Sequence, residues 1–127
     1  MDDIQATIHE GPLSGLVPTF PCDGAGAVVC FEGIVRPTEE GRAIRGLCYE
    51  AYEPMARDML VAIGEEAVRR HDLVGLCVEH SKGLVRVGEC SLRVQIAARH
   101  RQEALAAMGE FIDRLKIDVP IWKTAVE

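Results

Sequence analysis

Two stretches of helical period, each set between strand-like runs, constrain this chain most. Behind Pro54, the residues Met55, Met59, Leu60, Ile63 and Ala67 fall on one helical face that runs down to Arg70 and His71. From about Arg101 to Lys116, the residues Ala104, Leu105, Met108, Ile112 and Leu115 repeat the pattern. Pro54 suits the first turn of the first helix, and Pro120 forbids continuation of the second. The runs around them read as strands. Asp3 to Glu10 alternates weakly and predicts an edge strand. Ala27 to Arg36 is rich in β-branched and aromatic residues, with Gly33 suggesting a bulge or a close backbone approach. Pro37 to Gly41 is turn material, and Ala43 to Tyr52 returns as a strand, which predicts a hairpin between these two runs. Leu73 to Glu79, a short extended piece from Gly83 to Gly88, and Ser91 to Ala98 follow. In the last strand Ile121 and Lys123 point to one side and Trp122 to the other. Gly11 to Gly26 carries three prolines and four glycines and reads as a loop with one helical turn at most. The order strand, strand, strand, helix, strand, strand, helix, strand predicts an α+β fold: one mixed sheet with the two main helices on one face.

Length and charge narrow the function classes. The 127 residues predict one domain over positions 1–127. Fourteen basic against twenty acidic residues leave a net charge of −6, which suits neither a nucleic-acid backbone nor an anionic membrane surface. A small anionic ligand fits only if the cations are gathered in one place. No apolar run reaches membrane-spanning length, and the acidic start Met1-Asp2-Asp3 reads as lacking a secretory signal. The five cysteines are odd in number, without the two-residue spacing of a metal or redox pair. Four of them sit in strand-like runs, where cysteine acts as a small hydrophobe, and a reducing cytoplasm is the expected location.

Chemistry is concentrated in few residues. Arg99-His100-Arg101 places cations and an imidazole at a helix N-terminus, where free N–H groups already make the field positive. An anion bound there would explain the conflict, and so would partial neutralisation by Glu103. Lys116 ends the same helix, where a lysine also complements the helix dipole. Lys123 stands in an apolar strand beside Trp122. Partial burial would fit it for acid–base work, and an edge position would make it a guard against strand aggregation. Arg36 closes a strand just before Pro37 and can grip a phosphate or remain a solvated charge. His80 reads as a lone structural histidine, His9 and His71 lack company for a metal, and Ser14, Ser81 and Ser91 lack the setting of a nucleophile.

Taken in order, these residues resemble the large, catalytic subunit family of molybdopterin synthase. The resemblance runs through Gly26-Ala27-Val28-Val29-Cys30-Phe31-Glu32-Gly33-Ile34-Val35-Arg36, Leu47-Cys48-Tyr49-Glu50-Ala51-Tyr52 with Met55-Ala56, Val87-Gly88-Glu89, His100-Arg101 with Ala104, and Leu115-Lys116 followed by Pro120-Ile121-Trp122-Lys123. It implies an α/β hammerhead-like mixed sheet with an added antiparallel β portion. It implies a sulfurtransferase of molybdenum cofactor biosynthesis, which inserts two sulfurs into cyclic pyranopterin monophosphate to form the molybdopterin dithiolene. The sulfur arrives as a thiocarboxylate on the C-terminal Gly-Gly of a small ubiquitin-like partner, and the large subunits pair as a homodimer within a heterotetramer. By position, Lys116 and Lys123 match the catalytic lysines. Arg36, His100 and Arg101 match substrate-binding residues, joined by Lys116 and Lys123 themselves, and Ile34, Val35, Thr124 and Ala125 match flanking binding positions. The resemblance implies no metal and no other cofactor for this step.

The chain departs from the family pattern at Ser81-Lys82, where an arginine commonly follows the histidine, and at Thr124-Ala125, where a basic residue and a glutamate are common. It also reads as shorter at the C-terminus than many relatives. A docking module for a ubiquitin-like carrier, without chemistry of its own, is the alternative that the shortened tail favours and the retention of both Lys116 and Lys123 argues against. A small phosphate-ligand-binding protein outside this pathway is a third reading, which only Arg99 to Arg101 supports.

Overall fold

The computed structural model describes residues 3–127, so the start at Met1-Asp2 lies outside the described residues. Eight strands and two helices follow in the order β1 (Ile4–Glu10), β2 (Ala27–Ile34), β3 (Thr38–Glu39), β4 (Arg42–Ala43), β5 (Gly46–Ala51), α1 (Met55–His71), β6 (Leu73–Arg86), β7 (Cys90–Ala98), α2 (Arg101–Asp118) and β8 (Ile121–Val126). The main sheet runs β2-β7-β6-β5-β8, with β1 paired to β6 as its one parallel strand. The expected mixed α+β sheet with both helices packed on it is therefore present.

The long strand β6 organises the sheet. Two extended pieces were expected here, but Leu73–Arg86 is a single strand of 14 residues. One of its edges pairs with β7. The other is shared: β1 lies along Leu76 to Lys82 and β5 along Gly83 to Arg86. Gly83 sits where the two neighbours meet. Its φ of +81° lies in the left-handed region, which favours glycine at this position. On the β1 side of the junction the sheet is backed by helices. On the β5 side β8 adds as a further antiparallel strand.

Two cores correspond to these halves. The larger one lies between the helices and the sheet and contains Leu60, Ile63, Leu76, Val78, Val94, Ile96, Met108 and Phe111. The smaller one joins Val35, Ile44, Leu47 and Val85 beneath the β3–β4 hairpin region, with Tyr49 against it. Each large apolar side chain buried this way contributes about 1.5–3 kcal/mol. The helix faces are rotated slightly from the expected ones. In α1 the buried positions are Ala56, Leu60, Ile63, Gly64 and Ala67, whereas Met55 is exposed. In α2 they are Ala104, Ala107, Met108, Phe111 and Leu115, whereas Leu105 is exposed. Contact between α1 and α2 decides this phase, because each helix buries the side that meets both the sheet and its neighbour.

Other expectations change. The run ending at Arg36 and the run ending at Tyr52 do not form a hairpin. β2 pairs with β7 and β5 with β6 and β8, and the intervening chain folds into the two-residue strands β3 and β4. The expected irregularity at Gly33 is real, a register shift between Gly33 and Ile34. Residues 11–26 contain no helix. They strap across the sheet face opposite the helices, where Arg93 donates to the Ser14 carbonyl and Gln95 to that of Pro18. Arg93, 2% exposed, also donates to Glu32 and Glu79 at 2.9 Å each. Cys77 is buried as a small hydrophobe, but Cys30 and Cys48 face outward. Among the described residues no helix is long and apolar enough to cross a membrane.

Candidate active site

Three sequence-distant segments end at the boundary between the two cores. The first is the end of β2, where the register shift past Gly33 turns the chain outward and delivers Ile34, Val35 and Arg36. The second is the last turn of α2, carrying Leu115 and Lys116. Pro120 ends this helix. It lacks the N–H to continue, and it holds Val119 extended, at φ −84° and ψ 127°. The third is β8, which starts directly after that stop. Its alternation aims Ile121 and Lys123 to one side, while Trp122 faces out at 59% exposure.

Together they enclose a cavity of about 550 Å³. Arg36, Lys116 and Lys123 stand on its wall, with apolar lining from Val35, Ile44, Leu47, Leu115, Val119 and Ile121. The floor is polar: Tyr49, His80 and Ser91 line it, and Tyr49 Oη lies 3.0 Å from Ser91 Oγ. Such a cavity, with apolar patches between convergent polar and charged groups, suits a small polar ligand or a narrow peptide end.

The charges are not equivalent. Nζ of Lys123 is 2.8 Å from Oε2 of Glu39, on the β3–β4 hairpin. Lys123, open in the sequence between partial burial and an edge position, is half exposed and paired. Hydrogen bonding and charge from Lys123 hold the Glu39 carboxyl below its ordinary range, with a smaller contribution from Arg36. Arg36 is exposed and only 3.9 Å from Glu39. Lys116 forms no ion pair among the described residues.

Of the remaining predicted residues, His100 and Arg101 lie at the opposite end of α2 from Lys116. Lys116 lies fifteen residue steps along the helix from Arg101, about 22 Å at the α-helical rise. His100 Nδ1 is 3.3 Å from Glu103, and the neighbouring Arg99 bonds Asp72 at 2.6 Å. The chain thus gathers three of the five expected cations into one hollow and leaves two outside it. Ala125 shares the Lys123 side of β8 and Thr124 the Trp122 side, both exposed and beyond the cavity lining. Sequence reasoning missed Glu39, Tyr49, His80 and Ser91. A signal existed for His80, which continues the core-facing alternation of Leu76 and Val78. No cluster of three or more metal-ligating side chains forms among the described residues.

Comparison with known proteins decides the family. The family model described as MoaE protein matches residues 8–118. The chain belongs to the MoaE family. It is 47% identical over 102 residues to the molybdopterin synthase catalytic subunit of Oryza sativa subsp. indica, covering 80% of this chain and 53% of the relative. To the subunit of the same name from Thermoplasma volcanium it is 38% identical over 99 residues, covering 78% of this chain and 72% of the relative. The chain spans about half the length of the rice relative. Among solved structures, molybdopterin synthase from Staphylococcus aureus superposes with a TM-score of 0.82 at 28% identity, covering 99% of this chain and 92% of that one. A complex of subunits 1 and 2 of the molybdopterin-converting factor from Helicobacter pylori gives a TM-score of 0.74 at 27% identity, covering 94% and 83%. This MoaE chain therefore shares its mixed α+β fold, two helices on a mainly antiparallel sheet, with these structures.

Proposed function

We propose that this chain is a molybdopterin synthase catalytic subunit. It transfers two sulfur atoms from a thiocarboxylated small subunit to cyclic pyranopterin monophosphate, forming the dithiolene in the course of molybdenum cofactor biosynthesis. The observation that carries this reading is the meeting of Lys116, Lys123 and Arg36 in one cavity. An anionic substrate and an anionic thiocarboxylate must approach each other there, in a protein of net charge −6. Preorganised cations offset that repulsion and stabilise the charge that develops during attack.

In each transfer the carrier sulfur forms the new C–S bond, and the displaced substrate oxygen leaves protonated. Water then cleaves the acyl–sulfur bond, so that the carrier departs as a carboxylate. No net oxidation or reduction occurs. Lys116, without an ion pair among the described residues, and Lys123, once released from Glu39, act as proton donors and charge stabilisers. Arg36 holds the phosphate, while Ile34 and Val35 pack the ligand and Thr124 and Ala125 flank the rim. His100 and Arg101 are too far along α2 to reach the cavity of their own chain. As substrate-binding residues they act from a second copy, which fits a homodimer of large subunits within a heterotetramer. The five unpaired cysteines support a reducing, cytoplasmic setting.

The test is reconstitution. The chain is mixed with thiocarboxylated small subunit and cyclic pyranopterin monophosphate, and dithiolene product is measured. Product with the wild-type chain, lost with Lys116→Ala, is expected. Mixing Lys116→Ala with Arg101→Ala chains should restore activity through hybrid dimers. Carrier binding without product would replace this reading with that of a docking module.

A further inference from the structure

His80 stands where the core pattern calls for an apolar residue. It follows Leu76 and Val78 on the helix-facing side of β6, between Ile8 of β1 and Leu92 of β7. It is only 6% exposed, yet it lines the cavity. Its Nδ1 lies 2.8 Å from the Ser81 carbonyl oxygen. A carbonyl can only accept, so Nδ1 carries the proton. Burial holds the imidazole below its ordinary pKa, which keeps it neutral. The lone pair is then on Nε2. This atom makes no hydrogen bond among the described residues, and it is not among the side-chain polar atoms sealed from solvent without a partner. The ring is pinned as well: Tyr49 meets it edge-on, with centroids 5.3 Å apart at 79°, and Tyr49 is itself tied to Ser91.

We propose that His80 is a ligand-contacting residue of the cavity, its Nε2 accepting a hydrogen bond from an N–H or O–H donor of the bound ligand. The lysines and Arg36 are donors only and recognise the anionic part of a ligand. His80 supplies the complementary acceptor, so the cavity selects ligands that are both anionic and donor-bearing. The inference rests on the sulfur-transfer reading above, in which two ligands have this chemistry. One is the phosphate-bearing heterocycle, and the other is the carrier tail, with amide N–H groups beside its terminal thiocarboxylate.

The experiment uses the full chain with cyclic pyranopterin monophosphate and thiocarboxylated carrier. His80→Phe keeps a ring beside Tyr49 and removes the acceptor, whereas His80→Gln keeps an acceptor. Melting curves establish that both variants fold. We expect kcat/KM to fall about tenfold to a hundredfold in His80→Phe, and less in His80→Gln, because a buried donor on the ligand loses its partner. A rise in KM for the pterin alone identifies the heterocycle as the donor, and weaker carrier binding alone identifies the tail. Wild-type kcat and KM in folded His80→Phe would overturn the proposal. A second measurement is independent of turnover. In ¹⁵N-histidine-labelled wild-type chain, His80 should be the Nδ1–H tautomer, and its Nε2 resonance should move on addition of pterin or carrier. An Nε2–H tautomer, or a resonance that neither ligand moves, would also overturn it. Absence of product from the wild-type chain sinks the sulfur-transfer reading instead, and the His80 resonance still decides this one.

Discussion

At one end of α2, Arg99, His100 and Arg101 are neighbours in sequence. At the other, Lys116 meets Lys123 from within β8 and Arg36 from just past the end of β2. The first group is largely occupied with its surroundings, through Arg99 to Asp72 and His100 to Glu103. The second faces a concave space, with a single carboxylate, Glu39, bound to Lys123. Adjacent cations reach solvent and local acids before anything else. Cations that converge from distant segments share a cavity only because the sheet and its stop signals place them there. A cluster visible in sequence is therefore a weaker sign of a binding hollow than one assembled by topology.

The largest expected effect breaks this contrast at the cavity. Lys116→Ala and Lys123→Ala should each lower the rate of dithiolene formation by about 10²- to 10⁴-fold, as for loss of a positioned proton donor or charge stabiliser. Melting temperatures should stay near wild type, because neither lysine is buried. A rate within a few-fold of wild type for both variants would remove the cavity's claim to the chemistry.

Next in size is a change to what holds the two ends of α2 in place. Phe111 is 2% exposed in the larger core. Phe111→Ala should cost about 3–5 kcal/mol in chemical denaturation, through lost transfer energy and the void left behind. It should weaken the cavity and the Arg99–Arg101 end alike, in contrast to the lysine variants.

A pH dependence sharpens the role of Glu39. Lys123 lowers its folded-state pKa, so the pair adds stability above the ordinary carboxylate range. That contribution is lost as the pH falls through the lowered value. Thermal melts from pH 7 down to pH 3 should show the loss in the wild-type chain and a flatter profile in Glu39→Gln. At neutral pH the same variant frees Lys123 and should bind anionic ligands more tightly in a calorimetric titration.

The smallest effect is expected at the exposed pair. Arg99→Ala should change stability by no more than about 1 kcal/mol, since both Arg99 and Asp72 are solvated. A larger loss in denaturant titration would mean that this end of α2 is more than a neutralised surface.

The two helices were legible because periodicity and proline are local signals, and their boundaries agree to within a few residues. Their phase was less legible. Met55 and Leu105 fit the helical period as well as Ala56 and Phe111 do, and only packing of α1 against α2 separates them. The missing β2–β5 hairpin has the same cause. Nearness in sequence favours pairing, yet the long edge of β6 takes β5 and leaves β2 to β7. Lys116 and Lys123 could be singled out from their places beside Leu115 and Trp122. Glu39 could not, because it lies in turn-like sequence, and His80 carried only the signal of its core-facing place in the alternation of Leu76 and Val78, which reads equally as a structural histidine.

What the order of residues determined by itself is the succession of elements, the stop at Pro120 and the side of β8 on which Lys123 lies, because each depends on a few neighbouring backbone units. Which cations share a space, which acid binds Lys123 and where the His80 lone pair points were decided by tertiary structure alone. Those outcomes depend on strand pairings between residues dozens of positions apart, and on the wall that forms where two hydrophobic cores meet.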